Sequence, residues 1–500
     1  MTLTKHKIFF LFLFSFIVSI NIAISVNPVK REFRGAWIHT VDQEKYSKMN
    51  QKEMKAYFIS LLDQLKKAGI NTILFQVRPE ADAWYKSPYE PWSRYITGTQ
   101  GKDPGWDPLA FLIEESHNRN IDFHAWLNPY RVRNQKTKQL ANDHFYYKNK
   151  WWFVDYGNYI WFDPGIPASR KHIQNVVKDI VKHYDIDAVH MDDYFYPYPD
   201  GKLVFNDKKS FDEYGRKMGY TDKNKADWRR ENVNTLIREI HKIIHETKPW
   251  VQFGVSPFGI YRNLKEHPMG SNTNGLTNYD GLYADVLLWM KNGWIDYVIP
   301  QLYWEIGHRA ADYETLIIWW AKNGFNVPIY IGQDVLRTMR PDTLKRGQLY
   351  KKMQLAANEK AVSGHCFWPA YELERNAGGI VDSLRNNYFH SYALNPVYNK
   401  FDSIPPAAVR KLIYKIGTNG QKTLSWLAPE WKVEMDKANR YVIYGFEKNA
   451  EENLENPANI IAVSRETNFA LPLKTNLEMF VVTALDRCHN ESEGTRIAVK

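Results

Sequence analysis

The sequence predicts an α/β fold, a (β/α)8 TIM barrel followed by a C-terminal all-β immunoglobulin-like sandwich. Three observations carry this expectation. Eight short apolar segments recur between residues 33 and 368, each ending in a polar or aromatic cluster. Each is followed by an amphipathic stretch of helical period, the alternation that builds parallel sheets from βα units. No glycine-rich phosphate turn follows the first segment, which argues against a doubly wound open sheet. At 500 residues the chain also exceeds one compact core and suffices for a barrel plus one appended module.

Taken in order, Lys5, His6 and Lys7 form a basic cluster ahead of an apolar stretch from Ile8 to Ile20. Residues 1–25 therefore read as a signal peptide, and the mature chain as exported to a periplasm, cell envelope or medium. An uncleaved anchor is the competing reading, because apolar character runs on to Ile24, close to the ~17 residues that span a bilayer. After cleavage no stable membrane insertion is expected. Strands are expected at 33–38, 72–77, 122–126, 188–191, 252–255, 297–299, 329–331 and 365–368. Helices are expected at 51–68, 108–119, 168–183, 225–246, 280–292, 313–323, 341–359 and 379–387. Lys67-Ala68-Gly69 and Lys322-Asn323-Gly324 suit left-handed C-caps. The barrel is bounded at 31–395.

Four long connections, 78–106, 128–166, 194–222 and 256–279, leave strand C-termini, the catalytic face of a barrel. They hold much of an unusual aromatic content, 15% with 18 Trp and 31 Tyr. Trp84, Tyr85, Tyr89, Trp92, Tyr95, Trp151, Trp152, Tyr156, Tyr159 and Trp161 are expected to form ordered cleft walls, since flat rings suit sugar faces. Beyond Ser403-Ile404-Pro405-Pro406 the pattern becomes short alternating segments at 424–427, 440–446, 460–463 and 479–484, a sandwich over 404–500. Trp426, Tyr441-Val442-Ile443-Tyr444 and Phe480-Val481-Val482-Thr483-Ala484-Leu485-Asp486 resemble a fibronectin type III module.

The formal charge of +10 is spread along the chain, which permits mild affinity for an anionic wall and excludes the concentrated basic face of a nucleic-acid binder. Two cysteines, Cys366 and Cys488, cannot build a Cys-based zinc site and read as thiols rather than a cross-domain disulfide. His39, His124 and His190 lack metal-ligand spacing, so no metal and no cofactor is expected.

Glycosidic hydrolysis needs an acid for the leaving oxygen and a carboxylate as nucleophile or base. The fourth segment ends His190-Met191-Asp192-Asp193-Tyr194, placing adjacent carboxylates at the rim, one facing the axis and the other the wall. The sixth ends Pro300-Gln301-Leu302-Tyr303-Trp304-Glu305, and Glu305 completes the expected catalytic set with Asp192 and Asp193. Asp334 and Glu80 are the substitutes. Substrate contacts are expected from His39, Gln76, Arg78, Asn128, Tyr130, Arg131, His190, Tyr194, Gln301, Tyr303 and Gln333, with Ser256 as a further hydrogen-bonding group at a strand end and Trp126, Trp304 and Trp368 as sugar platforms or barrel plugs.

Six motifs in order at successive strand ends resemble glycosyl-hydrolase-like family 10, the domain of unknown function 187. They are Arg34-Gly35-Ala36-Trp37-Ile38, Phe75-Gln76-Val77-Arg78-Pro79, Ala125-Trp126-Leu127-Asn128-Pro129-Tyr130-Arg131, the His190 to Pro197 run, Ser256-Pro257-Phe258-Gly259 and Pro300-Gln301-Leu302-Tyr303-Trp304. The resemblance spans residues 31–387 and implies a (β/α)8 barrel with glycosidase activity. One member is a divisome-associated glycosidase acting on peptide-free peptidoglycan strands, which makes cell-wall glycan the implied substrate. It supports the Asp192-Asp193 segment as the active centre, whereas Glu305 rests on geometry alone. A non-catalytic glycan-binding or adhesion protein on a barrel scaffold is the alternative, and predicts binding without turnover.

Overall fold

The computed structural model describes residues 28–499 apart from 138 and 341–346. The expected signal peptide and the start of the helix expected at 341–359 lie outside the described residues. Strands β1 (Phe33–Ile38), β2 (Thr72–Arg78) and β3 (Asp122–Leu127) are followed by three short inserted strands, β4 (Arg131–Arg133), β5 (Phe153–Tyr156) and β6 (Tyr159–Phe162). Then come β7 (Ala188–Met191), β8 (Gln252–Val255), β9 (Tyr297–Val298), β10 (Ile329–Asp334) and β11 (Val362–Trp368). The barrel closes in the order β1, β2, β3, β7, β8, β9, β10, β11, and neighbours are parallel throughout.

Alternation along each strand sorts side chains between two cores. Ala36 and Ile38, Ile73 and Phe75, Phe123 and Ala125, and Val189 and Met191 point outward to the large core under the helices. Phe33, Trp37, Leu74, Trp126, Ala188, Tyr297, Tyr330 and Cys366 point inward and plug the barrel. Large inward rings need empty space beside them. Phe33 stacks on Tyr330 with centroids 4.0 Å apart, and Tyr297 lies parallel to His190 at 5.9 Å. At Gly254 a Cβ would fall 2.0 Å from the Tyr297 ring, so only glycine fits under that aromatic plug.

Helices fill the outer layer, and polar caps set their ends. Asn50 and Glu53 form a reciprocal capping box on helix Gln51–Lys67. Gly69 follows that helix in the left-handed region, φ 88°. The expected left-handed cap at Gly324 does not form; Phe325 and Asn326 take the positive φ values after helix Tyr313–Lys322. The helix expected at 280–292 is two pieces, Asn278–Gly281 and Val286–Lys291. Tyr283 is left-handed at φ 54°, and the Asp285 side chain accepts from the Leu288 N–H to cap a new start.

The C-terminal region is all antiparallel β. Strands β12 (Arg410–Ile416), β13 (Lys422–Leu427), β14 (Arg440–Glu447), β15 (Ile460–Ser464), β16 (Asn468–Ala470), β17 (Leu477–Leu485) and β18 (Thr495–Ala498) form two sheets. One has the order β12-β13-β16 and the other β15-β14-β17-β18. Leu424, Trp426, Ile443, Phe480 and Val482 fill the space between them. The outer face of the four-stranded sheet packs Val442, Tyr444 and Val481 against Leu394 of the connecting segment. It seats on the barrel's N-terminal face. There Asp122, at the start of β3, takes Arg440 at 2.5 Å and His489 at 3.1 Å. Burial alone would raise Asp122, but Arg440 and His489 outweigh it and hold the carboxyl well below the usual range. The module therefore docks on the face opposite the strand C-termini. Cys366 and Cys488 are both free and buried.

Candidate active site

At the C-terminal mouth of the barrel lies a cavity of about 330 Å³. The inward parity of each strand continues into it: Trp37 on β1 and His39 after it, Gln76 on β2, Trp126 on β3, Asp192 and Tyr194 after β7, Ser256 after β8, Gln301 and Tyr303 after β9, and Trp368 on β11. Val41, Asp42 and Arg131 enter from loops. Asp192 is two residues beyond inward His190, so the strand itself delivers its carboxylate to the mouth.

A relay of amides fixes that carboxylate. Asn128 Nδ2 donates to Asp192 Oδ2, while Asn128 Oδ1 accepts from Gln76 Nε2 at 2.5 Å and Arg131 Nη2 at 2.8 Å. Gln76 Oε1 in turn accepts the N–H groups of Thr40 and Val41 at 2.8 and 2.9 Å, which pins the loop carrying Asp42. Asp192 Oδ1 is buried with no hydrogen-bond partner among the described residues. Burial, with the charge of Asp193 added, pushes the Asp192 carboxyl up to about 7 against the opposition of Arg131 and Asn128. Asp193 is not among the residues that line the cavity and accepts from the Tyr198 hydroxyl; burial pushes it up to about 6.

Burial keeps both histidines neutral, His39 in the cavity lining and His190 beneath it. Burial lowers His39 to about 4 and His190 well below its ordinary value. His190 bridges Ser256 Oγ at 3.0 Å and Tyr297 Oη at 3.1 Å, so it supports the floor from inside the plug. Asp42 is the second carboxylate of the cavity lining. It adopts φ 61°, rare for a non-glycine residue, and is held by Asn134 Nδ2 at 3.1 Å and Lys136 Nζ at 2.9 Å.

Several expected site residues stand elsewhere. Glu305 does not line the cavity; its carboxylate, 27% exposed, faces Arg340 at 3.5 Å. Arg78 lies fully buried in a two-pronged ion pair with Glu90. Asn128 and His190 stand behind the lining. Tyr130 is buried in the outer core, Trp304 packs edge-on against Phe258, and Gln333 points outward to His365 Nδ1 at 2.9 Å. Of the substitutes, Asp334 caps the helix after β10, and Glu80 is buried behind Asn134 and Thr137, pushed up to about 7 by burial. The aromatic loops are corrected too. None of the ten rings expected as cleft walls lines this cavity; Trp84, Tyr85, Tyr95, Tyr156 and Trp161 are core residues, because the long loops pack on one another and on the barrel. Trp37, Val41 and Asp42 were not anticipated. Trp37 had a signal, its parity with Phe33 and His39; Asp42, in a turn beyond the strand, had none.

The region that carries the site is matched by sequence. Residues 32–348, which carry every cavity-lining residue but Trp368, match the model of the family described as glycosyl hydrolase-like 10. The chain belongs to that family. Glycosyl hydrolase YngK of Bacillus subtilis (strain 168) is 38% identical over 97% of this chain and 96% of its own length. Glycosyl hydrolase DigH of Escherichia coli (strain K12) is 38% identical over 58% of this chain and 69% of its own. Among solved structures, the PgaB (BpsB) glycoside hydrolase domain of Bordetella bronchiseptica covers 73% of this chain and all of its own, with TM-score 0.49 and 12% identity. The catalytic domain of a β-amylase from Paenibacillus polymyxa covers 72% of this chain and 99% of its own, with TM-score 0.49 and 11% identity. Membership in a glycosyl hydrolase-like family implies a glycan substrate and supports glycan hydrolysis as the chemistry.

Proposed function

We propose that this protein is a glycoside hydrolase acting outside the cytoplasm on a polysaccharide, the glycan strands of peptidoglycan being the substrate. The observation that carries the reading is a buried carboxyl, Asp192, held near pKa 7 inside a mouth walled by Trp126, Tyr194, Tyr303 and Trp368. Such a group keeps its proton near neutrality and can give it to a glycosidic oxygen as the C1–O bond breaks. Asp193 lends its charge to that task rather than touching the sugar. Asp42 is the second carboxylate, reaching the same cavity from β1, three strands round the ring from β7. It either accepts the proton of the water that attacks C1, or attacks C1 itself and is later displaced by water. The neutral His39 and the amides of Gln76 and Gln301 hydrogen-bond hydroxyl groups. Glu305, outside the lining, gives up the role of partner acid in this scheme.

The test is mass-spectrometric product analysis after incubation with peptide-free peptidoglycan strands and a panel of neutral polysaccharides. Shortened strands from the wild-type chain, and a loss of about 10²–10⁴ in kcat for Asp192→Asn, are expected. Binding without any product would instead support the glycan-binding alternative.

A further inference from the structure

Exposed indole is scarce in this molecule. Of 18 tryptophans only Trp151 and Trp431 are exposed, at 48% and 49%. Trp151 sits beside a recess of about 180 Å³. One wall is Trp151 with Phe153 and Val154 of β5; the other is Asn206, Lys209 and Glu213 from the connection after β7. Asp163 and Ser210 form a floor already satisfied internally, Ser210 Oγ donating to Asp163 at 2.5 Å and the Gly165 N–H at 2.8 Å. Asn206 and Lys209 make no side-chain hydrogen bond or ion pair among the described residues, which leaves an amide and an ammonium free at the rim beside the Glu213 carboxylate. Trp152 meets Trp151 edge-on at 6.1 Å and fixes its orientation. A flat ring beside free donors and acceptors of both signs matches a saccharide's apolar face and hydroxyl edge better than it matches an anion or an apolar helix.

The recess is also on the right face. Both walls follow the C-terminal ends of β3 and β7, which are neighbours in the barrel. A hydrogen-bonded wall runs from beside it toward the mouth: Tyr156 of β5 donates to the Tyr198 carbonyl at 3.0 Å, and the Tyr198 hydroxyl donates to Asp193, the chain neighbour of Asp192. We propose that the Trp151 recess is a second glycan-binding site, which holds a saccharide unit of the same polymer whose bond is cut at Asp192. The proposal rests on the glycan reading of the mouth but concerns binding, so the two can fail separately.

The experiment uses the full chain carrying Asp192→Asn, with peptide-free peptidoglycan strands as the probe and affinity electrophoresis as the readout. Adding Trp151→Ala is expected to weaken binding roughly tenfold. Asn206→Ala is expected to weaken it less, and Trp431→Ala, the other exposed indole, not at all, with unchanged melting temperatures throughout. Strands that bind through Trp151 yet are never cut by the wild-type chain would overturn the hydrolase reading and leave this site standing. Binding that Trp151→Ala leaves within twofold, or no binding of the strands at all, overturns the second site.

Discussion

Asp192→Asn should make the barrel more stable at neutral pH even as it removes turnover. Burial raises the folded carboxyl from 3.8 to about 7, so the folded chain keeps a proton that the unfolded chain releases. Between those two values the unfolded state binds fewer protons, and stability falls as pH rises. At about 1.4 kcal/mol per pH unit, the wild-type chain loses roughly 4 kcal/mol by pH 8. Asparagine never ionises and escapes that loss. Its N–H₂ would face the place where Oδ1 now lacks a partner, an offset of about 1–3 kcal/mol that does not vary with pH. The signature is therefore the change in the difference between the two chains from pH 4 to pH 8, not its value at either. Calorimetry that resolves the barrel transition from that of the β module should show Asp192→Asn gaining on wild type by several degrees over that range. Parallel pH dependence of the two melting temperatures would refute a buried, protonated Asp192 and with it the acid role.

The other expectations concern the same centre and its support. With Asp192 as the acid, kcat/KM falls as pH rises through about 7; Asp193→Asn removes the adjacent charge that helps raise Asp192, so this limb moves to lower pH, measurable in full pH–rate profiles. Asp42→Asn should cost about 10²–10³ in kcat while Glu305→Gln stays within a few fold of wild type, and steady-state assay of both with the opposite ranking would reinstate Glu305. Gly254→Ala drives a Cβ onto the Tyr297 ring, and overpacking of about 1–3 kcal/mol should appear as a lowered melting temperature. Turnover should fall as well, since the Tyr297 hydroxyl holds His190 beneath Ser256.

The barrel was legible because its strands are buried on both faces and read as short segments dominated by apolar residues, as in Phe33–Ile38, interrupted by Arg34, and Ala188–Met191, interrupted by His190, whose expected bounds equal those observed. The helix at 280–292 was misread because apolar periodicity survives a break: Leu282 and Val286 face the core on either side of left-handed Tyr283. In the β module, β12, β16 and β18 escaped because they are edge strands, largely exposed or half-buried: β12 and β18 carry Lys or Arg, and β16 is only three residues long, so none shows a clear apolar run.

For the candidate site, strand parity was the reliable guide and chemical suitability the unreliable one. His39, Gln76, Trp126, Gln301, Tyr303 and Trp368 each lie an even number of residues from an inward plug residue of their own strand, and all reach the cavity. Gln333 is odd relative to Tyr330 and faces the helices instead. Arg78 keeps the parity of Gln76, but a register irregularity separates them, and Glu90, twelve residues on, captures its guanidinium. Aromatic loops mislead for a related reason. A loop of thirty or more residues must bury something to be ordered, and where its apolar side chains are rings, the rings become its core before they become anyone's binding surface. Trp84, with no exposure at all, and Trp151, half exposed, are equally aromatic in sequence; Trp84 is taken up edge-on by Tyr46, Phe58 and Phe75 of the barrel layer, while Trp151, in the next connection, meets Trp152 edge-on and is left free to meet a ligand.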